Sequence, residues 1–170
     1  PISNCAFLTN TTTYGNGGGM FNYQANPIVN DCTFSGNSAS DYYGGGIYNE
    51  ESAPLINGCV FSENQAKYGG GLINLYCSPI VSKCTFANNE AGGGGGLSNI
   101  ESDLLLTNCT FYGNSADGAG GLAILCYYAS VAITNCTFFN NSAIESGGGA
   151  VIDGFEDVHI TNCLFWGDTS

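Results

Sequence analysis

Arginine is missing from this chain and lysine occurs only twice, against fourteen aspartates and glutamates, so the formal net charge is −12. That imbalance excludes nucleic acid and anionic lipid as partners, because both need clustered Lys and Arg to neutralise phosphate. Charged residues make up only 9% of the sequence, against about 25% in ordinary domains. The surface must therefore be built from Asn, Ser, Thr, Gly and Tyr. The one histidine, His159, precedes Ile160 in a strand-like stretch with no Ser or Cys arranged as a nucleophile, and we read it as structural. No apolar run reaches the ~18 residues of a membrane helix, so membrane insertion by this segment is not expected, and no signal peptide is visible. Helical periodicity is absent too, and 26 glycines would disfavour helices.

What the chain has in abundance is repetition. Cys5, Cys32, Cys59, Cys84, Cys109, Cys136 and Cys163 recur at spacings of 27, 27, 25, 25, 27 and 27 residues. Each is followed two residues later by Phe (Phe7, Phe34, Phe61, Phe86, Phe111, Phe138, Phe165). Three residues further comes Asn10, Asn37, Asn64, Asn89, Asn114 or Asn141, with Asp168 in the last copy. A regular period in this range marks an array of stacked units. A second motif alternates with the first: glycine-rich triplets at 17–19, 44–46, 69–71, 94–96, 119–121 and 147–149, each followed by an apolar residue. Two residues later stand Asn22, Asn49, Asn74 and Asn99, then Ile124 and Ile152.

Short-range alternation of apolar residues reads as strand. Each repeat offers a Gly-apolar-x-Asn strand, a strand before the cysteine, and the Cys-x-Phe strand. The residue just before each cysteine is Asn4, Asp31, Gly58, Lys83, Asn108, Asn135 or Asn162. Asn, Asp and Gly tolerate left-handed backbone angles, so this column reads as a bend. The expected fold is all-β: a right-handed parallel β-helix of about six to seven coils of 25–27 residues, with three short strands per coil. Coils stacked at about 4.8 Å give a rod of roughly 30 Å. Phe should stack on Phe inside, the Asn columns should hydrogen-bond along the stack, and Ala39, Ala66, Ala91, Ala116 and Ala143 should line a tight inner corner. The chain opens within a repeat, ends just after one and shows no polar cap, which solenoids need. Residues 1–170 are thus expected to be a single β-helix domain, a piece of a longer array.

Stacked cysteines would hold their Cβ atoms near the 4.8 Å strand spacing, beyond the ~3.8 Å typical of a disulfide. We therefore read the column as buried free thiols. Cys77 and Cys126 lie outside it, and the sequence leaves their state open. No pair of Cys-x-x-Cys or Cys/His cluster points to zinc. No metal and no cofactor is expected.

The motifs GGGM, GGGI, GGGL and AGGL, with FLTN, FSGN, FSEN, FANN, FYGN and FFNN, resemble the repeated GGA-[ILV] and FxxN motifs of the chlamydial polymorphic membrane proteins, which are autotransporter adhesins. The resemblance spans nearly the whole chain, with Gly usually in place of Ala. It implies a right-handed β-helix displayed at a bacterial surface, extracellular, with adhesion as its role. The partner would be a protein or glycan at the cell surface, or other copies of the chain.

Variable residues fall in the connections. Between the first and second strands lie Glu50, Glu51, Glu101, Asp103, Tyr127, Tyr128, Phe155, Glu156 and Asp157. Between the third and first lie Asp41, Tyr42, Tyr43, Lys67, Tyr68, Asp117 and Glu145. Many parallel β-helices act on polysaccharide, and carboxylates in neighbouring coils could reach glycosidase spacing of ~5 to 9.5 Å. Against an enzyme, a lyase-type Arg base is missing, as are the clustered Asp, His and Arg-x-Lys of a polygalacturonase. No catalytic residue is assigned; Tyr42, Tyr43, Tyr68, Glu50, Glu51, Glu101 and Asp103 are the candidate ligand-binding set. Finally, the column Ile28, Leu55, Ile80, Leu105 alternates with the inward residues and should form an outward apolar stripe, a candidate self-association surface. The leading expectation is a non-catalytic surface or adhesin-type rod. A polysaccharide-active enzyme and a filament or sheath subunit are the alternatives.

Overall fold

A computed structural model describes residues 1–154 and 157–170. Its strands are all parallel and form four sheets, with each chain segment pairing with its equivalent one coil on. One coil illustrates the path: Ile47–Glu50 in sheet I, Leu55–Asn57 in sheet II, Val60–Ser62 in sheet III and Gln65–Tyr68 in sheet IV. Among the described residues, sheets II and III hold seven strands each, sheet I six and sheet IV five. The fold is the expected all-β parallel solenoid, without helix among the described residues.

Sheet IV is the difference from expectation, because a coil has four strands rather than three. The residues after the Asn column, such as Gln65–Tyr68, pair with Ser38–Tyr43 before and Glu90–Gly93 after. The alanines expected at a corner are instead the inward residues of this sheet, with Ala39 at 0% and Ala66 at 4% exposure. A strand whose inward residue is only Ala and whose outward ones are Ser, Gln, Glu and Lys carries almost no hydrophobic alternation, the signal by which strands are recognised.

Four sheets need four bends, and left-handed residues supply them. All seven positions before the cysteines have positive φ, from Asp31 at 51° to Gly58 at 66°. Even Lys83 sits at φ 53°, where a non-glycine residue is uncommon; the neighbouring coils impose the bend there. A second such column, including Glu63, Asn88 and Asn140, turns sheet III into sheet IV, and a third, including Glu51, Tyr76 and Glu101, turns sheet I into sheet II. Gly44, Gly69 and Gly94 turn sheet IV into sheet I at φ 70°, 62° and 59°. Added Cβ atoms there would lie 2.5–2.6 Å from backbone oxygens, so only glycine fits.

The lumen is built of ladders. Phe34, Phe61, Phe86, Phe111 and Phe138 are wholly buried, and consecutive rings from Phe7 to Phe165 stack at 4.5–5.1 Å between centroids. Beside them, Val29, Ile56, Val81 and Leu106 are fully buried, as expected for the position three before each cysteine. The cysteine column is free thiols. Each Sγ donates to the carbonyl two residues back, as Cys84 does to Ser82 at 3.2 Å, and those of Cys32, Cys109, Cys136 and Cys163 also accept from the cysteine N–H of the preceding coil, as Cys109 does from Cys84 N at 3.4 Å.

The Asn ladder beside the phenylalanines leaves no polar atom idle. Asn64 Oδ1 accepts from Asn37 N and Nδ2, both at 3.0 Å. Its Nδ2 donates to Asn89 Oδ1 and to the Phe34 carbonyl, both at 2.9 Å. The last rung breaks the pattern. Asp168 Oδ1 accepts from Asn141 N and Nδ2 at 2.8 Å, but buried Oδ2 has no partner. In the rungs before it, the equivalent nitrogen donates to the Phe carbonyl 28 or 30 residues back, as Asn141 does to Phe111 at 3.1 Å. Asp168→Asn restores that donor toward Phe138 and is expected to stabilise the chain by about 1 kcal/mol. In thermal unfolding this appears as a rise in Tm of roughly 2–4 °C; an unchanged or lowered Tm would show that the last rung does not follow the ladder.

Candidate functional site

The connection from sheet IV folds across the outer face of sheet I. Two outward columns run along that face: Phe21, Tyr48, Ile73, Ser98, Ala123, Val151, and Tyr23, Glu50, Leu75, Ile100, Leu125, Asp153. Tyr48 and Ile73 point outward yet are only 2% and 1% exposed, because Gly44 and Gly69 lie against their Cβ atoms and the Tyr43 ring stacks on Tyr48 at 6.2 Å. Burial, with a hydrogen bond to Glu50 second, pushes the Tyr48 hydroxyl up from its ordinary value.

Further along the rod, several columns become small together. Tyr43 and Tyr68 are followed in register by Gly93, while Tyr48 and Ile73 are followed by Ser98 and Ala123. The result is a cleft of about 270 Å³ floored by Ser98 and Ala123, with Tyr68 at one end and Glu145 and Asp153 at the other. A Cβ at Gly93 would lie 2.8 Å from the Tyr68 ring, whereas one at Gly118 would come no closer than 3.5 Å to anything. Glycine at 93 lets the ring approach the backbone closely; glycine at 118 simply leaves space. A second depression of about 280 Å³ shares Tyr68 and Leu125 with the first and extends the groove toward Tyr43.

The candidate residues divide. Tyr43 and Tyr68 come together, 5.5 Å between ring centroids, on the rim of this groove, and Glu50 lies on the same face of sheet I. Tyr42 is half-buried in the same strand. Glu51, Glu101 and Asp103 are elsewhere, at the turn into sheet II, where they brace successive coils. Glu51 accepts from Gln24 Nε2 at 2.7 Å, Glu101 from Tyr127 N at 3.3 Å, and Asp103 from Ser130 N at 2.9 Å and Ser78 Oγ at 3.3 Å. Phe155 and Glu156 lie outside the described residues. Ile28, Leu55, Ile80 and Leu105 are side by side on the outer face of sheet II, 42%, 37%, 43% and 42% exposed; His159 continues that column beyond Ala132. Gly93, Ser98, Gly118, Ala123 and Asp153 were not singled out from the sequence. Their signal is a fall in side-chain size down adjoining columns, visible only once the coils are in register.

Among its side chains, the cleft lining holds two carboxylates and the hydroxyls of Tyr68, Ser98 and Ser146. Glu145 and Asp153 are carboxylates, and the Ser98 hydroxyl is already donated to Gly93 O at 2.9 Å. Among the described residues no three His, Cys, Asp or Glu side chains converge on a metal-sized site, and no helix is long and apolar enough to cross a membrane.

Most of the buried thiols are held in their neutral form. The Cys109 thiol, together with burial, pushes Cys84 up to about 12, and Cys136 does the same to Cys109. Burial raises Cys77 and Cys126, whereas Cys136 is lowered, first by its hydrogen bond with Cys109. Cys126 instead ends a second Asn ladder: Ile124 replaces the next Asn, and Asn99 Nδ2 donates to Cys126 Sγ at 3.6 Å. Thiols raised in the folded state stay neutral while unfolded ones ionise. Their contribution is therefore whole below about pH 9 and is lost between about 9 and 12, at up to ~1.4 kcal/mol per pH unit per thiol. Urea unfolding at stepped pH should show this alkaline decline, and a Cys84→Ala/Cys109→Ala variant should show it less steeply. Equal slopes would mean that these thiols titrate alike in both states.

No curated protein matches the chain, and no solved structure does. A family model described as "Right handed beta helix region" matches residues 2–94 and 67–169. Together the two matches take in nearly all of the stacked coils just described, and the chain belongs to the right-handed β-helix family.

Proposed function

We propose that this chain is a non-catalytic rod of the adhesin type, displayed outside the cell, which holds a protein or glycan partner in the cleft on sheet I. The observation that carries this reading is the coordinated loss of side-chain volume at Gly93, Ser98, Gly118 and Ala123. In the preceding coils the equivalent positions are filled by Tyr43, Tyr68, Tyr48 and Ile73; here they open a groove between an aromatic ring and two carboxylates. The absence of an assigned nucleophile or base, and the structural use of Glu51, Glu101 and Asp103, favour binding over turnover. Gly118 has room for a side chain and ordinary backbone angles, so Gly118→Leu should fill the cleft without unfolding the rod. Surface-immobilised wild type is expected to retain acetylated hexalysine or the neutral maltohexaose, and Gly118→Leu to lose at least about tenfold in affinity, the effect of occluding a buried contact. Equal retention by both proteins, or by neither, contradicts the reading; new reducing ends released from maltohexaose would make the cleft a hydrolase site.

A second reading rests on sheet II. None of the fourteen acids occupies its two outward columns, which hold Ile28, Leu55, Ile80, Leu105 and, beside them, Asn30, Asn57, Ser82 and Thr107. For a chain of charge −12, an uncharged apolar stripe is the face on which a second copy meets least repulsion. Sedimentation of wild type should show mass rising with concentration and salt, and Ile80→Asp should stay monomeric. A monomer at all concentrations would remove the self-association and filament reading.

A further inference from the structure

Taking the cleft on sheet I as the binding site, we infer that its ligand is a cationic side chain, the ammonium of a lysine or the guanidinium of an arginine on a basic protein segment. Three features of the cleft select this chemistry.

The first is its hydrogen-bonding inventory. Glu145 and Asp153 accept only and the Ser98 hydroxyl is committed to Gly93 O, which leaves the Tyr68 and Ser146 hydroxyls as the donors among the lining side chains. Lysine and arginine bring a full positive charge and several donors with no acceptor of their own. A sugar hydroxyl needs a partner for its lone pairs as well as for its proton, and this lining offers it few donors.

The second is shape. The floor is apolar, with Ala123 and Val151 on one column and Leu125 on the next. A hydrocarbon stem lies over such a floor while its charged head stays at the polar end. The Tyr68 ring at the other end gives a second basic residue a cation–π surface.

The third is the field. With fourteen acids, two lysines and no arginine, the rod attracts cations from a distance and repels anionic polymers. Acidic residues recur along the groove side: Asp117 and Glu145 in the sheet IV to sheet I connections, and Glu50 and Asp153 on the outer face of sheet I. An extended basic segment lying along the rod would meet them in succession.

Charge alone would also bind a polycation diffusely, so the test separates place from sum. Acetylated hexalysine is titrated into wild type, into Glu145→Gln/Asp153→Asn, and into Asp31→Asn/Glu63→Gln. The last pair carries the same charge change but sits at bends flanking sheet III, away from the cleft. The cleft pair is expected to lose at least about tenfold in affinity and the control pair under about threefold, as for removal of contacting against peripheral charges. Equal losses, or an unaffected cleft pair, overturn the inference. If maltohexaose binds instead and Gly118→Leu abolishes it, the cationic class falls while the cleft remains the site. If Gly118→Leu leaves hexalysine binding intact, both fall.

Discussion

The structure depends on one constraint: every coil must lie in register on the next. Two ladders enforce it in different ways. The phenylalanine column supplies bulk attraction, about 1.5–3 kcal/mol for each buried side chain and ~0.5–1.5 more for each stacked pair. Aromatic packing is tolerant of sliding, however. The Asn column is not, because a slip by one residue would strand buried amides such as Asn64 and Asn89, now fully paired. Each stranded group costs about 1–3 kcal/mol. Burial drives the stack; the Asn ladder sets its phase.

Once phase is set, local preference yields to it. Lys83, Glu63 and Tyr76 hold left-handed angles that their side chains do not favour, because the coils on either side bend there. The same dominance turns residues of weak strand propensity, such as Glu90–Gly93, into sheet IV. It also makes functional variation cheap to install. Strength lies in the lumen, so outward columns on sheet I can change from Tyr48 and Ile73 to Ser98 and Ala123 without disturbing the ladders inside.

That division explains what could be read from the chain directly. The Cys-x-Phe-x-x-Asn unit carries inward residues whose spacing is strict, so the core columns, the bend before each cysteine and the outward position of Ile28, Leu55, Ile80 and Leu105 were legible. Sheet IV was not, because alanine gives a lumenal position little hydrophobic contrast. Tyr43 and Tyr68 stand on the rim of the groove, at the ends of sheet IV strands rather than in the connections that the sequence suggests. Glu51, Glu101 and Asp103 were conspicuous as acids, yet their oxygens brace the neighbouring coil. The cleft escaped because its defining feature is missing volume. Gly93 and Gly118 look like two more glycines among 26, and only the stacking shows that they adjoin Ser98 and Ala123.

The recognition site proposed for this rod of uniform inner columns lies where the outer columns shrink together. That placement is tested most directly by mapping ligand contacts residue by residue, with ¹⁵N-labelled protein and acetylated hexalysine followed by amide shift changes. Changes are expected to concentrate at Gly93, Ser98, Gly118, Ala123 and Asp153, with the Asn ladder amides still. Changes centred on the sheet II stripe, or spread evenly along the rod, would contradict it.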